Sequence, residues 1–139
     1  MTFRSRQRVR FHEADPAGIA FFANAYVYAH TAYDELLRAG GVTFAMVAAR
    51  GAAIPLKKSS AEHLRPLPAG SDFDVDVDVL RLGASSFTLR HRLLLAGEMA
   101  AVVETVHVYA RAHADRSLTP EPLPADLRAA LEPHIITAA

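Results

Sequence analysis

Polar and apolar residues alternate strictly in some stretches of this chain and recur every three to four residues in others. The cleanest alternation is "DFDVDVDVL" at 72–80. There Phe73, Val75, Val77 and Val79 face one way and Asp72, Asp74, Asp76 and Asp78 the other, as in a half-buried strand. "SSFTLRHRLLL" (85–95) and "MAAVVETVHVYA" (99–110) predict two more strands, with Gly97 and Glu98 in the hairpin between them. "RQRVRF" (6–11) predicts a first strand with Val9 and Phe11 on one face, and "AAIPLKKSSAEHL" (52–64) one that begins after Pro55. Between these, from Phe22 to Ala39, the helical period holds, placing Tyr26, His30, Tyr33 and Leu37 on one stripe. Gly40 and Gly41 end that helix, and Thr43 caps a short second one, "FAMVAAR", closed by Gly51. A proline-rich tail carries one further short helix at 125–131.

The order strand, long helix, short helix, four strands predicts an α+β domain: an antiparallel five-stranded sheet with a single long helix across one face. No repeat or linker divides the chain, so residues 1–139 form one domain, with a core over about 7–112 and a tail over 113–139. The aspartate stripe predicts that the opposite face meets water. Such a thin layer leaves sheet edges to protect, and pairing in a homodimer or homotetramer is the expected solution.

Composition narrows the function. Lys plus Arg and Asp plus Glu number 15 each, so there is no general electrostatic pull toward nucleic acid or an anionic membrane. The absence of cysteine excludes a thiolate nucleophile, thiolate metal ligation and disulfides, and suits the cytoplasm. There is no apolar run near the ~18 residues of a membrane span. No G-x-S-x-G elbow and no glycine-rich phosphate loop is present. "DFDVDVD" lacks the glycine and distant glutamate of a calcium loop, and His91, His107 and His113 lack tight ligand spacing, so no metal is expected.

The most chemical stretch is "HEADPAGIAFFANAYVYAH", residues 12–30. Asp15, Pro16 and Gly18 are preferred occupants of a type I turn, which by itself explains them. The helix that follows opens on "GIAFFA", where Asn24 is the sole conventional capping candidate. First-turn N–H groups without side-chain partners, at the positive end of a helix dipole, can hold a developing oxyanion. A carboxylate before those donors supplies the second part needed to hydrolyse an acyl group. Turn and catalysis both remain open on these residues.

The pattern F-x-x-x-D-P-A-G-I-x-F-F-x-N, followed by a long helix ending "ELLRAGG", resembles the hotdog-fold acyl-CoA thioesterases of the 4-hydroxybenzoyl-CoA thioesterase type. The resemblance runs from about residue 7 to 110 and continues in "KKSSAEHLRPLPAGSDFDV" and "SSFTLRH". It implies that Asp15 is the catalytic carboxylate, as nucleophile or general base, and that the Phe22 backbone N–H contacts the thioester oxygen. It also implies sites at subunit interfaces. "HTAY" (30–33) is similar to members that cleave 1,4-dihydroxy-2-naphthoyl-CoA. His30 stands where hydroxybenzoyl-type enzymes carry an aspartate, and Ile54 where they carry a polar residue. His30 with Tyr26 or Tyr33 is therefore expected to meet a hydroxylated aryl group. The family's basic run reads "LGASSF" here, leaving Arg81 and Lys58 as candidates for the coenzyme A phosphates, with Lys57, Arg90 and Arg92 as further surface cations. Glu62 is the alternative catalytic carboxylate. No cofactor is expected beyond the coenzyme A of the substrate itself. Thioesters of aliphatic or carrier-protein-bound acyl groups, or acyl binding without catalysis, are the competing readings.

Overall fold

The structure, a computed structural model, describes residues 1–136. In chain order its elements are β1 (Phe3–Arg8), α1 (Asn24–Ala39), α2 (Phe44–Ala49), β2 (Ala52–Ala53), β3 (Leu56–His63), β4 (Asp72–Leu82), β5 (Ser86–Leu95), β6 (Glu98–Val108), β7 (Ala110–Ala112), β8 (Leu118–Pro120) and α3 (Ala125–Leu131). Five strands form one antiparallel sheet in the order β1-β4-β5-β6-β3, and the long helix α1 lies across it, as the alternation predicts. A small second sheet, β2-β7-β8, extends one end. Among the described residues no helix is long and apolar enough to cross a membrane.

Side-chain parity explains the layer. Val75, Val77 and Val79 of β4, Phe87, Leu89 and Leu93 of β5 and Val103 of β6 are buried beneath α1, each worth roughly 1.5–3 kcal/mol when fully removed from water. α1 answers with Ala25, Ala29 and Ala32, all buried, so its backbone can approach the sheet closely. The hairpin between β5 and β6 turns on Ala96 (φ 51°) and Gly97 (φ 79°), one residue earlier than expected, with Glu98 already in the strand. Positive φ at both central residues matches the right-handed twist of the flanking strands.

Four expectations are corrected. The first strand is Phe3–Arg8 rather than 6–11, because its inward positions are polar: Ser5 is buried, and Gln7 donates from Nε2 to the Tyr28 carbonyl (3.0 Å) and to Ser5 Oγ (3.1 Å). Val9 is buried beyond the strand's end, whereas Phe11 is exposed.

The aspartate stripe does not simply meet water. Asp76 and Asp78 are 6% and 0% exposed. Arg4 on β1 grips Asp76 through Nε and an Nη at 2.7 and 2.9 Å, and Arg90 and Arg92 on β5 both reach Asp78 Oδ2 at 3.0 Å. Burial works to raise the Asp78 pKa, but the hydrogen bonds from Thr2 and Arg90 and the charges of Arg92 and Arg90 outweigh it and hold it below the ordinary carboxylate value. Arg90 and Arg92 are thus committed to Asp78 rather than available to a phosphate.

The third correction concerns the tail: its first part, 113–120, is exposed, whereas α3 packs into the core rather than trailing from it. Leu127, Ala130 and Leu131 of α3 are buried, and Gly40 lies so close to Ala130 that any Cβ at Gly40 would clash with it. Residues 137–139 of the expected tail lie outside the described residues. The fourth is the helical stripe, whose buried members are Ala25, Tyr28, Ala29, Ala32, Tyr33, Leu36 and Leu37; Tyr26 and His30 fall on its exposed flank.

Replacing Asp78 by Ala leaves two arginines facing each other without their shared anion. We expect a loss of about 3 kcal/mol, the low end of the range for breaking a buried ion pair because both arginines keep some contact with water. A shift in the urea midpoint would show it, and an unchanged midpoint would mean that the outer-face ladder contributes no stability.

Candidate functional site

Beyond β1 the chain makes a short 3-10 turn at Phe11–Glu13 and then folds into a narrow hairpin. Phe21 N–H donates to Glu13 O (2.9 Å), Asp15 N–H to Ile19 O (2.8 Å), and Ala14 bridges Ala20. The tip is the expected turn: Gly18 N–H donates to Asp15 O (3.0 Å), Asp15 Oδ1 accepts from Ala17 N–H (2.9 Å), and Gly18 has φ +79°. Ala20 N–H donates to Leu67 O (2.8 Å) and Ala69 N–H to Gly18 O (2.9 Å), pinning the hairpin to the connector before β4. Asp15 is half-buried, and among the described residues its Oδ2 makes no hydrogen bond.

α1 begins at Asn24, with Ala23 in the capping position and therefore no side-chain cap. Asn24 is diverted from capping: its Nδ2 donates backwards to Glu13 O at 2.7 Å. Glu13 Oε1 also accepts from Arg10 N–H (2.8 Å) and from the Tyr28 hydroxyl (3.2 Å). Burial, and then the charge of Glu13, keep the Tyr28 phenol protonated well above its usual range. Among the described residues, the N–H groups of Phe22 and Ala23 make no hydrogen bond. The bare amides follow directly from Phe21, and Asp15 lies two residues along the partner strand from Glu13, about 7 Å at strand spacing. The Phe22 ring stands 65% exposed, 6.3 Å from that of His63. Both line an open cleft of about 450 Å³ together with Ile19, Ala25 and Leu93; Asp15 is not among the lining residues.

A second cleft, of about 360 Å³, opens further along α1. Tyr26, Ile54 and Leu56 line it beside His30, while Tyr33, His91 and His107 are buried against it. His30 stacks on Phe44 at 5.6 Å and 9°, and the Tyr33 ring packs 4.6 Å from that of His107. Burial, above all, drives the His91 and His107 pKa values down to about 4, with smaller contributions from the neighbouring imidazoles, so both rings are neutral at pH 7. Burial likewise raises the Tyr33 phenol far above its normal value.

The remaining candidates stand apart from these clefts. Lys58 lies opposite Val106 and Glu62 opposite Val102, on the face of the sheet turned away from α1. Arg81 is exposed on β4, just past a bulge and opposite Thr88. Sequence reasoning missed Glu13, which ties the hairpin to α1, and the joining of His91 and His107 at one cleft. The signal for the histidines was parity: His91 is in step with inward-facing Phe87, Leu89 and Leu93. Among the described residues no group of three or more His, Asp or Glu is arranged to hold a metal ion.

Because the folded-state pKa values of His91 and His107 lie near 4, below the ordinary 6.5, the unfolded chain binds protons that the folded one does not. Stability is therefore complete above about pH 6.5 and falls as pH drops toward 4. The combined loss should reach several kcal/mol, since each pKa unit is worth about 1.4 kcal/mol. Urea titrations at pH 7.5 and 4.5 would measure it, and His91→Leu should flatten the decline; an equal decline in the variant would refute the assignment.

Comparison with known proteins identifies the family and the fold. The family model described as the thioesterase-like superfamily matches residues 9–131. A protein named 1,4-dihydroxy-2-naphthoyl-CoA hydrolase from Thermosynechococcus vestitus is 34% identical over 133 residues, 93% of this chain and 91% of that protein. Among solved structures, the dynemicin thioesterase superposes with a TM-score of 0.85 or better, at 0.90, with 20% identity over 99% of this chain and 100% of its own. A 1,4-dihydroxy-2-naphthoyl-CoA thioesterase from Synechocystis gives a TM-score of 0.85 with 23% identity, covering 94% of this chain and 96% of that one. At such identities the two structures establish the shared fold.

Proposed function

The chain belongs to the thioesterase-like superfamily, and we propose that it hydrolyses an aromatic acyl-CoA, one bearing a hydroxylated aryl group, to the free acid and coenzyme A. The observation that carries this reading is a half-buried carboxylate, Asp15, held on a pinned hairpin that leads directly into an uncapped helix start. The 34% identical relative named as a 1,4-dihydroxy-2-naphthoyl-CoA hydrolase supports the aryl substrate. So does the second cleft, with His30 and Tyr26 on the exposed flank of α1 and Tyr33 buried against it.

In this reading the thioester oxygen rests on the N–H of Phe22, where the helix dipole and a free donor stabilise the negative charge of the tetrahedral intermediate. Asp15 either takes a proton from the attacking water or attacks the carbonyl itself, forming an anhydride that water then opens. Both routes break the C–S bond, and coenzyme A leaves as a thiolate that takes up a proton. Asp15 Oδ1 is held by the Ala17 N–H, which fixes the carboxylate while Oδ2 remains for chemistry. The reaction uses water, a carboxylate and backbone dipoles, and calls for no cofactor of its own.

The enzyme acts as a cytoplasmic homodimer or homotetramer. β3 supports this assembly: it is a sheet edge eight residues long, almost wholly exposed, with Leu56 at its start and Leu64 just past its end both uncovered. The Ile54 side of the second cleft runs into the same edge, so a second copy there would close over the acyl group. Lys58, on β3, and Arg81 remain the candidate contacts for the coenzyme A phosphates.

Thiol release across 1,4-dihydroxy-2-naphthoyl-, 4-hydroxybenzoyl-, benzoyl- and aliphatic CoA esters tests the proposal. The hydroxylated aryl esters should give the highest kcat/KM; faster release from aliphatic esters, or none from any, would overturn it. Asp15→Asn should lower kcat by about two orders of magnitude or more with the melting temperature retained.

A further inference from the structure

Five buried side-chain polar atoms have no hydrogen-bond partner among the described residues: Tyr33 Oη, Asp74 Oδ1, Arg90 Nε, His91 Nε2 and Arg92 Nε. Three of them belong to the outer-face ladder. Arg90 and Arg92 hold Asp78 through their other nitrogens, and Asp74 Oδ1 faces Arg6 Nε at 3.2 Å as an ion pair without hydrogen-bond alignment. The remaining two, on Tyr33 and His91, belong to residues lining the same cleft beneath α1. Leaving a buried polar atom unpaired is costly, and folded proteins keep few of them. Two at one open cleft mark a place where a polar group entering the cleft can be paired.

The chemistry of that group follows from the protons. His91 Nδ1 lies 3.0 Å from the Val103 carbonyl, which can only accept, so Nδ1 carries the hydrogen. In a neutral ring this leaves Nε2 as a bare acceptor. Tyr33, also neutral, offers an O–H donor. One acceptor and one donor lining the same cleft are the complement of a hydroxyl, which can donate to His91 Nε2 and accept from Tyr33. A carboxylate or phosphate has no proton for His91, and an unsubstituted ring satisfies neither atom. The ring of His107, stacked on Phe87 at 5.0 Å and 20°, and that of Tyr33 supply aromatic surface around the same position.

Resting on the aryl-CoA hydrolase reading, we propose that His91 and Tyr33 are the specificity-determining pair, gripping a hydroxyl carried by the acyl group at the buried floor of the cleft. The more exposed His30, on the helix, then serves as an outer wall rather than as the hydroxyl's partner.

The test compares 4-hydroxybenzoyl-CoA with benzoyl-CoA in the wild type, Tyr33→Phe and His91→Leu. Tyr33→Phe removes only an unpaired hydroxyl, so the fold is expected to survive it. The wild type should favour the hydroxylated ester by about a hundredfold or more in kcat/KM, since a site built for a hydroxyl leaves its polar atoms unpaired with the deoxy analogue. Each variant should shrink that ratio at least tenfold. A merely structural role would lower both rates alike, and an unchanged ratio in both variants overturns the proposal.

Calorimetric binding of 4-hydroxybenzoate against benzoate, in the same three proteins, separates this from the hydrolase reading. If no CoA ester is cleaved, the hydrolase reading fails. Selective binding of the hydroxylated acid that is lost in Tyr33→Phe would still uphold the pair, and equal binding of both acids by the wild type would sink it.

Discussion

One helix has to cover the apolar face of a five-stranded sheet, and the geometry of that contact sets everything near the candidate site. The sheet offers Phe73 and three valines at the inward positions of β4, and α1 meets it with a seam of alanines at 25, 29 and 32. Larger residues on the sheet side would lift the helix and open the core; alanine keeps it low. Once seated, the helix has no freedom to choose where its first turn or its exposed flank falls. The first turn ends beside the hairpin of residues 13–21, and the flank bearing Tyr26 and His30 stands beside the second cleft.

The aspartate at that hairpin need not be assigned to a turn or to chemistry, because the same bonds serve both. The turn uses the Asp15 carbonyl and one carboxylate oxygen, which orients the side chain and leaves its other oxygen without a partner among the described residues. The helix start is bare for a related reason. Asn24, the residue able to cap it, spends its amide on the Glu13 carbonyl, and Glu13 in turn secures Arg10 and Tyr28. A capping acceptor is thereby exchanged for a rigid link between hairpin and helix. A first turn with free N–H groups is a local cost, and such costs persist at sites where a ligand supplies the missing partner.

Local pattern carried most of the fold. Strict alternation located β4, β5 and β6, and glycines marked the end of α1, because those signals lie within a few residues of what they specify. The failures are contacts made across long separations. Nothing near Asp78 announces that Arg90, Arg92 and Thr2 will enclose it, so its stripe read as a wetted face. β1 was displaced because the positions facing the helix are Ser5 and Gln7, whose partners lie on α1 and on β1 itself. Around the candidate site, the Asp15 turn and the uncapped helix after it were legible because both are set by residues adjoining in sequence. His91 and His107 were not: 16 positions separate them, and neighbouring strands bring them together only in the folded sheet.

Burial of polar groups then divides this protein into two kinds of place. On the outer face the buried carboxylates are met by arginines from both flanking strands, and the few atoms left over belong to groups already paired. That arrangement is complete without any other molecule. Beneath α1 the opposite holds. A neutral imidazole whose one hydrogen is already engaged and a phenol with no partner among the described residues line one open cleft, in surroundings too apolar to repay them. Leucine and phenylalanine at those two positions would pack as well and remove the cost. Retaining the polar pair makes physical sense where something with a hydroxyl arrives to complete it, which ties the least stable chemistry in the core to the acyl group rather than to the fold.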